Sequence, residues 1–291
     1  MSRLGRAAGA ALTVGVASVA ARAAWTALRS APPGGAERWN RVNHRGETVT
    51  LLEGPAYAVG AAAAVALTPG VPTRVKAAAI LATLGGGFFG AIDDLHESGK
   101  SKGLRGHLGE LAHGRVTTGG LKVLGIGATG LAAAVAVPRP DSDHRVADVL
   151  LDGAVIAAGA NLVNLFDLRP GRALKVTLLA APAVGATPAG RLVAVACGTA
   201  AALMKPDLDE TAMLGDTGAN AAGALLGTAA VAGLSRRGRF AALLGLGALT
   251  LASERVSFTK VIAATPGLRE LDALGRRPPA APTPGETAPP A

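Results

Sequence analysis

The chain has 291 residues, of which 49% are hydrophobic and only 17% charged, with a mean hydropathy of +0.37. A soluble domain of this length carries nearer a quarter charged residues, and here the apolar residues are grouped into stretches long enough to span a bilayer rather than spread at amphipathic spacing. That excludes an ordinary soluble domain and indicates an all-α, polytopic transmembrane helix bundle. The net charge of +9 and the pI of about 10.6 suit basic loops lying against anionic lipid. With no zinc-ligand cluster, base-reading motif or stacking aromatics in the chain, nucleic acid is not expected as a partner. The single cysteine, Cys197, excludes an intrachain disulfide and reads as a small packing residue inside an apolar run.

About nine spans are predicted, near residues 7–28, 52–69, 75–92, 118–137, 147–166, 173–188, 190–204, 212–233 and 240–258, within one transmembrane unit covering 1–275. The first run resembles a signal peptide, with Arg3 and Arg6 before an apolar core and small residues near Ala21. The many spans that follow favour an uncleaved first span. The runs are rich in Ala and Gly, and Gly85, Gly86 and Gly87 stand together in the third, which suits close helix contact in lipid. Cations set the orientation. Segment 22–50 carries Arg22, Arg29, Arg38, Arg41 and Arg45; segment 93–117 carries Lys100, Lys102, Arg105 and Arg115; Arg169, Arg172 and Lys175 follow the fifth run. These alternate loops are expected in the cytoplasm, and the turns near Pro69, 138–145 and Thr187 outside. Arg236, Arg237 and Arg239 fall on the outer side in this count, against the rule. Residues 259–275 read as a short interfacial helix with Leu268, Leu271 and Leu274 on one side, and 276–291 as a disordered Pro/Ala-rich tail.

Three acidic motifs end or begin apolar runs. Asp93 and Asp94 close the third; two carboxylates at a helix C-terminus oppose the helix dipole, and paired carboxylates are natural ligands of Mg²⁺ or a proton relay facing a phosphate. Asn161, Asn164 and Asp167 recur at three-residue spacing on neighbouring parts of one helix face, as a polar pocket or as interhelical hydrogen-bonding groups. Gly215, Asp216, Thr217 and Gly218 open the eighth run: the glycines allow close backbone approach, Asp216 can coordinate a metal, and the helix amides can meet a phosphate. Asp216 or Thr217 can equally cap that helix. In the predicted topology all three motifs lie on the cytoplasmic side. A transporter would place its acids near mid-membrane on broken helices, which this pattern disfavours. Between the first two motifs, Lys100, Lys102, His107, His113 and Lys122 surround Leu104, Leu108 and Leu111 at helical spacing, and His44 lies in a polar cytoplasmic segment over 41–54.

In this order the motifs resemble the polyprenyl-phosphate N-acetylhexosamine-1-phosphate transferase family, over roughly residues 40–235. Its members carry a paired aspartate after an early span, an Asn-x-x-Asn-x-x-Asp segment and a Gly-Asp-Thr-Gly segment, and include the enzyme making the first lipid intermediate of bacterial peptidoglycan. The resemblance implies Mg²⁺-dependent transfer of a phospho-amino sugar from a UDP-amino sugar to a polyprenyl phosphate, in cell-envelope glycan synthesis at the cytoplasmic face of a bacterial inner membrane. Carried over, Asp93 or Asp94 handles the lipid phosphate or its proton and Asp93 joins Asp216 at Mg²⁺. Asn164 and Asp167 hold the nucleotide diphosphate, and Asn161, His44, Lys100, Lys102 and Lys122 complete the substrate contacts. The chain departs from the family where Leu168, Arg169, Pro170, Gly171 and Arg172 replace the usual Gly-x-x-Gly-Leu, in having no histidine after His144, and in lacking a tenth span. A catalytically silent member that binds polyprenyl phosphate or a cell-envelope partner is the alternative. The sequence leaves the oligomeric state open, a homo-oligomer included.

Overall fold

The computed structural model describes residues 3–96, 118–139, 143–185, 187 and 189–278. Each of the nine apolar runs forms a helix: α1 (Arg3–Ser30), α2 (Glu53–Leu67), α3 (Thr73–His96), α4 (Thr118–Ala136), α5 (Arg145–Phe166), α6 (Arg172–Gly185), α7 (Gly190–Leu208), α8 (Gly215–Gly233) and α9 (Arg236–Ser253). Two short helices follow, α10 (Phe258–Ala264) and α11 (Leu268–Ala273). The single interfacial helix expected over 259–275 is thus two. Pro266 lacks the N–H to continue the first, and Gly267, at φ +84°, takes a left-handed conformation before the second. The helix expected around Leu104, Leu108 and Leu111 lies outside the described residues.

Four of these helices are long and apolar enough to cross a membrane: Ala7–Ser30, Thr73–His96, Gly119–Ala136 and Arg145–Phe166. A fifth arises if α9 and α10, bent by 90° at their junction, count as one span. The remaining runs fall short for physical reasons. α2 and α6, at 15 and 14 residues, are shorter than the roughly 20 residues that cross the hydrocarbon core. α8 has 19 residues but is built of Gly, Ala, Thr and Asn, because protein surrounds it instead of lipid.

That enclosure organises the bundle. Nearly every residue of α8 is buried, and the helix packs on α2, α3, α5, α6 and α7. Small residues bring the backbones together, as they do where no solvent drives helices into contact. Gly86 and Gly90 of α3 lie against the backbone of Asn220 and Asp216, and Gly159 of α5 meets Gly223. On the other side α1 packs on α2 and α7, and the fully buried Tyr57 donates its hydroxyl to the Ala196 carbonyl, 3.2 Å away.

The basic segment ahead of α2 holds the structure's small sheet. Strands β1 (Asn40–Val42) and β2 (Thr48–Thr50) pair antiparallel, with Arg41 opposite Val49. Asn43 closes their turn by accepting from the backbone N–H groups of Arg45 and Glu47 at 2.9 Å each. Sequence periodicity gave no sign of these three-residue strands. Thr50 in turn bonds to Thr211 and Met213, seating the hairpin on the segment that leads into α8.

Two of the three arginines that broke the charge rule have acidic partners at the opposite end of the bundle. Arg239, 4% exposed, pairs with Asp148 and Asp152, Arg236 reaches Asp148 at 3.1 Å, and Arg139 reaches Asp152 at 2.9 Å. Cations held by buried carboxylates are not free to choose a membrane side.

The close α3–α8 contact has a direct consequence. A methyl group at Gly90 would overlap the Asp216 carbonyl, whereas one at Gly127 of α4 would meet nothing within 4 Å. Gly90→Ala is expected to destabilise the protein by about 1–3 kcal/mol. Gly127→Ala is expected to be neutral or stabilising by up to about 1 kcal/mol, both read by denaturant unfolding in detergent.

Candidate functional site

The first turn of α8 leaves backbone N–H groups without partners inside the helix, and its N-cap position, Leu214, offers no side-chain acceptor. Acids from two other helices supply them. Asp94, at the C-terminal end of α3, accepts from Asp216 N at 3.0 Å and, with its second oxygen, from Thr217 N at 2.9 Å and the Thr217 hydroxyl at 2.6 Å. Asp167, just past α5, accepts from Gly215 N–H. Gly215 makes room for this: its φ is +62°, and a Cβ there would lie 3.0 Å from the Asp94 carboxylate. The amides expected to face a phosphate or to be capped by Asp216 or Thr217 are therefore taken by carboxylates from α3 and α5.

The second layer is ionic. The Lys122 ammonium, from the first turn of α4, sits 3.0 Å from Asp93 and is paired also with Asp216. Asp93 and Asp216 face each other across this ammonium. Two carboxylates thus share one cation beside the α8 N-terminus, and the three sequence motifs meet at one end of the bundle. Arg41 of the hairpin anchors this corner by donating to the Asp94 carbonyl at 2.6 Å.

Two cavities flank the cluster. A groove of about 320 Å³ runs from Lys122 between α4, α5, α8 and α9, past Asn161, Asn220 and Thr250, and is otherwise apolar. Asn161 donates to Thr250 at 3.1 Å across it, and Asn220 donates to the Asp216 carbonyl at 2.7 Å. On the other side a pocket of about 360 Å³ mixes polar side chains, Asn43, His44, Asp167, Arg169, Asp207 and Glu210, with an apolar wall that includes Val49, Leu168 and Met213. Burial pushes the Asp167 carboxyl well above the usual carboxylate range, and the nearby Asp207, Asp216 and Asp94 add to the shift. The Asn164 Oδ1 is buried without a hydrogen-bond partner. Lys100 and Lys102 lie outside the described residues.

Several neighbours were not singled out from the sequence as site residues. Asn220 follows Asp216 by four residues and so shares its helix face, a signal that was available. Glu53 and Asp207 carried no such signal. Glu53 opens α2, is fully buried with both carboxyl oxygens lacking a hydrogen-bond partner, and faces Asp207 and Asp167. Asp207 accepts from Gly171 N–H at 3.1 Å, which ties the α5–α6 turn to the end of α7.

The donor set bears on a metal. Among the described residues no group of three or more His, Cys, Asp or Glu side chains is gathered to hold an ion. Mg²⁺, however, is commonly held by only one or two carboxylates, with phosphate oxygens and water completing its shell. Asp93 and Asp216, already drawn around one cation, fit that pattern.

The C-terminal arm closes the same face. Arg172, 3% exposed, grips Asp272 through two bonds of 2.6 and 3.0 Å, and Phe166 stacks on Phe258 at 5.1 Å. Arg277 pairs with Glu47, and Arg45 with Glu210 at 2.9 Å, so 276–278, the described start of the tail, is fastened to the hairpin.

No family model matches the chain, and no curated protein matches it.

Removing the shared cation would leave two adjacent carboxylates facing each other. Lys122→Met is expected to cost about 2 kcal/mol of stability, with added Mg²⁺ narrowing the gap to the unaltered protein in a denaturation series. The arm has its own pH signature. The Arg277 guanidinium, helped by Asn43, holds the Glu47 carboxyl down at about 2, from an ordinary 4.5. A folded value below the unfolded one means that the pair's contribution is complete above about pH 4.5 and lost as the pH falls towards about 2. Hydrogen exchange over 276–278 should rise through that window, and Arg277→Ala should weaken the dependence there.

Proposed function

We propose that this protein transfers a phospho-amino sugar from a UDP-amino sugar to a polyprenyl phosphate, with Mg²⁺, at the cytoplasmic face of a bacterial inner membrane, as a step of cell-envelope glycan synthesis. The observation that carries this reading is the meeting of the three motifs, Asp93 with Asp94, Asn161 to Asp167, and Gly215 to Gly218, around a shared cation. Their types and order resemble the polyprenyl-phosphate N-acetylhexosamine-1-phosphate transferase family. The surroundings suit both substrates. The apolar groove ending at Lys122 has the character a prenyl chain with a terminal phosphate requires, and the pocket beside Asp167, with charged side chains on an apolar wall, has that of a nucleotide. The orientation rests on nine alternating helices, with the basic hairpin, Arg169, Arg172 and the C-terminal arm at the site's end.

In the proposed reaction an oxygen of the lipid phosphate attacks the phosphorus of the sugar-bearing phosphate. A new P–O bond forms, the bond to the uridine-bearing phosphate breaks, and UMP leaves. Asp93 takes the proton carried by the lipid phosphate and Lys122 holds that phosphate's charge. Asp94 positions rather than reacts, because its oxygens are committed to the first turn of α8. Asp167, whose neutral form is favoured by its surroundings, offers an O–H to a diphosphate oxygen. Asn164 lies one helical turn before it, and His44 lines the same pocket. Asp93 and Asp216 would hold Mg²⁺, which when bound would supply the charge neutralisation that phosphoryl transfer depends on.

One observation favours the silent relative. Lys122 occupies the place between Asp93 and Asp216 that a metal would take, and the segment after Asp167 lacks the family's glycines. The two readings separate in an assay with purified protein, labelled UDP-amino sugars, polyprenyl phosphate and Mg²⁺. An active enzyme yields a lipid-linked sugar and UMP. Asp216→Asn should then lower turnover by about a hundredfold or more while the protein keeps its melting profile; full activity in that variant rejects the metal role. No product from any donor, with retained binding of polyprenyl phosphate, identifies a binding protein.

A further inference from the structure

At the end of the bundle away from the α8 N-terminus, the ionic cluster contains more cation than its buried acids use. Asp148 and Asp152 are 3% and 1% exposed. Arg239 bonds to both and Arg139 to Asp152, so two guanidinium groups offset two carboxylates. Arg236 adds one bond to Asp148 through Nε, at 3.1 Å, yet its side chain stays 56% exposed. Arg237 beside it is exposed. Both stand in the first turn of α9, at the positive end of that helix. They rim an open groove of about 790 Å³ between α5 and α9, walled by Leu150, Leu151, Phe240 and Leu243. Leu150 and Phe240 are 56% and 55% exposed, an apolar surface that runs directly up to the two arginines.

We propose that this groove is a binding site for an anionic phospholipid, with the phosphate headgroup on Arg236 and Arg237 and an acyl chain along Leu150, Leu151, Phe240 and Leu243. Charge complementarity selects this occupant. A zwitterionic headgroup offsets its phosphate with its own ammonium and carries no net charge to meet these guanidinium groups, and a free phosphate has no use for the leucine and phenylalanine wall. The site shares no residue with the carboxylate cluster at the other end and is independent of the transferase reading.

The test uses the full chain in nanodiscs containing equal amounts of phosphatidylglycerol and phosphatidylcholine, followed by native mass spectrometry of the lipids it retains. The native protein should retain phosphatidylglycerol preferentially, and Arg237→Ala should reduce that preference about fivefold. The pair Arg236→Ala with Arg237→Ala should abolish it, while Arg145→Ala, at the start of α5 outside the groove, should leave it unchanged. Because Arg236 also holds Asp148, the single Arg237 variant decides if the double variant does not fold. Equal retention of both lipids by the native chain overturns the proposal, as does an unchanged preference in a folded Arg237→Ala. So does inorganic phosphate that raises the melting temperature of the detergent-solubilised protein as much as phosphatidylglycerol does, since that would assign the arginines to a free anion.

Discussion

The first turn of α8 must find acceptors for its backbone N–H groups in a place where water cannot supply them all, and everything around the site follows from how that need is met. Leu214 cannot cap the helix, so carboxylates arrive from outside: Asp94 from α3 and Asp167 from the end of α5. Each brings an acceptor oxygen to the positive end of the helix. The result fixes three helices against one another at a single point and gathers acids that would otherwise repel. Asp93 and Asp216 are carried along, one as the neighbour of Asp94 and the other as a residue of the capped turn, and the charge they add is met by Lys122. A cation site is thus a by-product of a capping arrangement, which gives the paired aspartate two distinct tasks: one carboxylate for architecture, the other facing the cation.

Helix positions were largely legible in the amino-acid sequence, since long runs of Ala, Val, Leu and Gly have few alternatives to helix in an apolar setting. How many of those helices cross was not. α8 has an apolar sequence but a position enclosed by protein, and hydropathy read residue by residue does not distinguish a helix facing protein from one facing lipid. The convergence of the motifs was legible from alternation: Asp94, Asp167 and Asp216 sit at a C-terminal, a C-terminal and an N-terminal helix end. What each acid touches was not, because hydrogen bonds from Asp94 to residues more than 120 positions away leave no local pattern. The hairpin stayed hidden for the opposite reason: three-residue strands are too short to show a period, and their stability comes from Asn43 and from docking onto Thr211 and Met213.

The two ends of the bundle treat buried charge differently. At the cluster away from the site, Asp148 and Asp152 are matched by guanidinium groups with several bonds to each oxygen set, an arrangement that locks α5, α8 and α9 and the end of α4 together and has little freedom to do chemistry. At the site, acids outnumber their nearest ammonium groups: Asp93, Asp94 and Asp216 lie about Lys122, and Glu53, Asp167 and Asp207 stand together beside them, with Lys175 near Asp207. Such an excess is costly when dry and is relieved by bringing in a cation together with its phosphate ligands. That asymmetry is the physical basis for placing function at one end and fastening at the other.

The composition of α8 also bears on how the protein is made. A helix of glycine, alanine, threonine and asparagine gains little from lipid on its own, so the translocation machinery has scant reason to release it sideways into the bilayer. Its slot, with Asp94 and Asp167 waiting at one mouth, is built by segments that emerge from the ribosome earlier. α8 therefore depends for its place on helices that precede it in the chain, and damage to α3 or α5 would surface as a failure to integrate a segment neither of them contains.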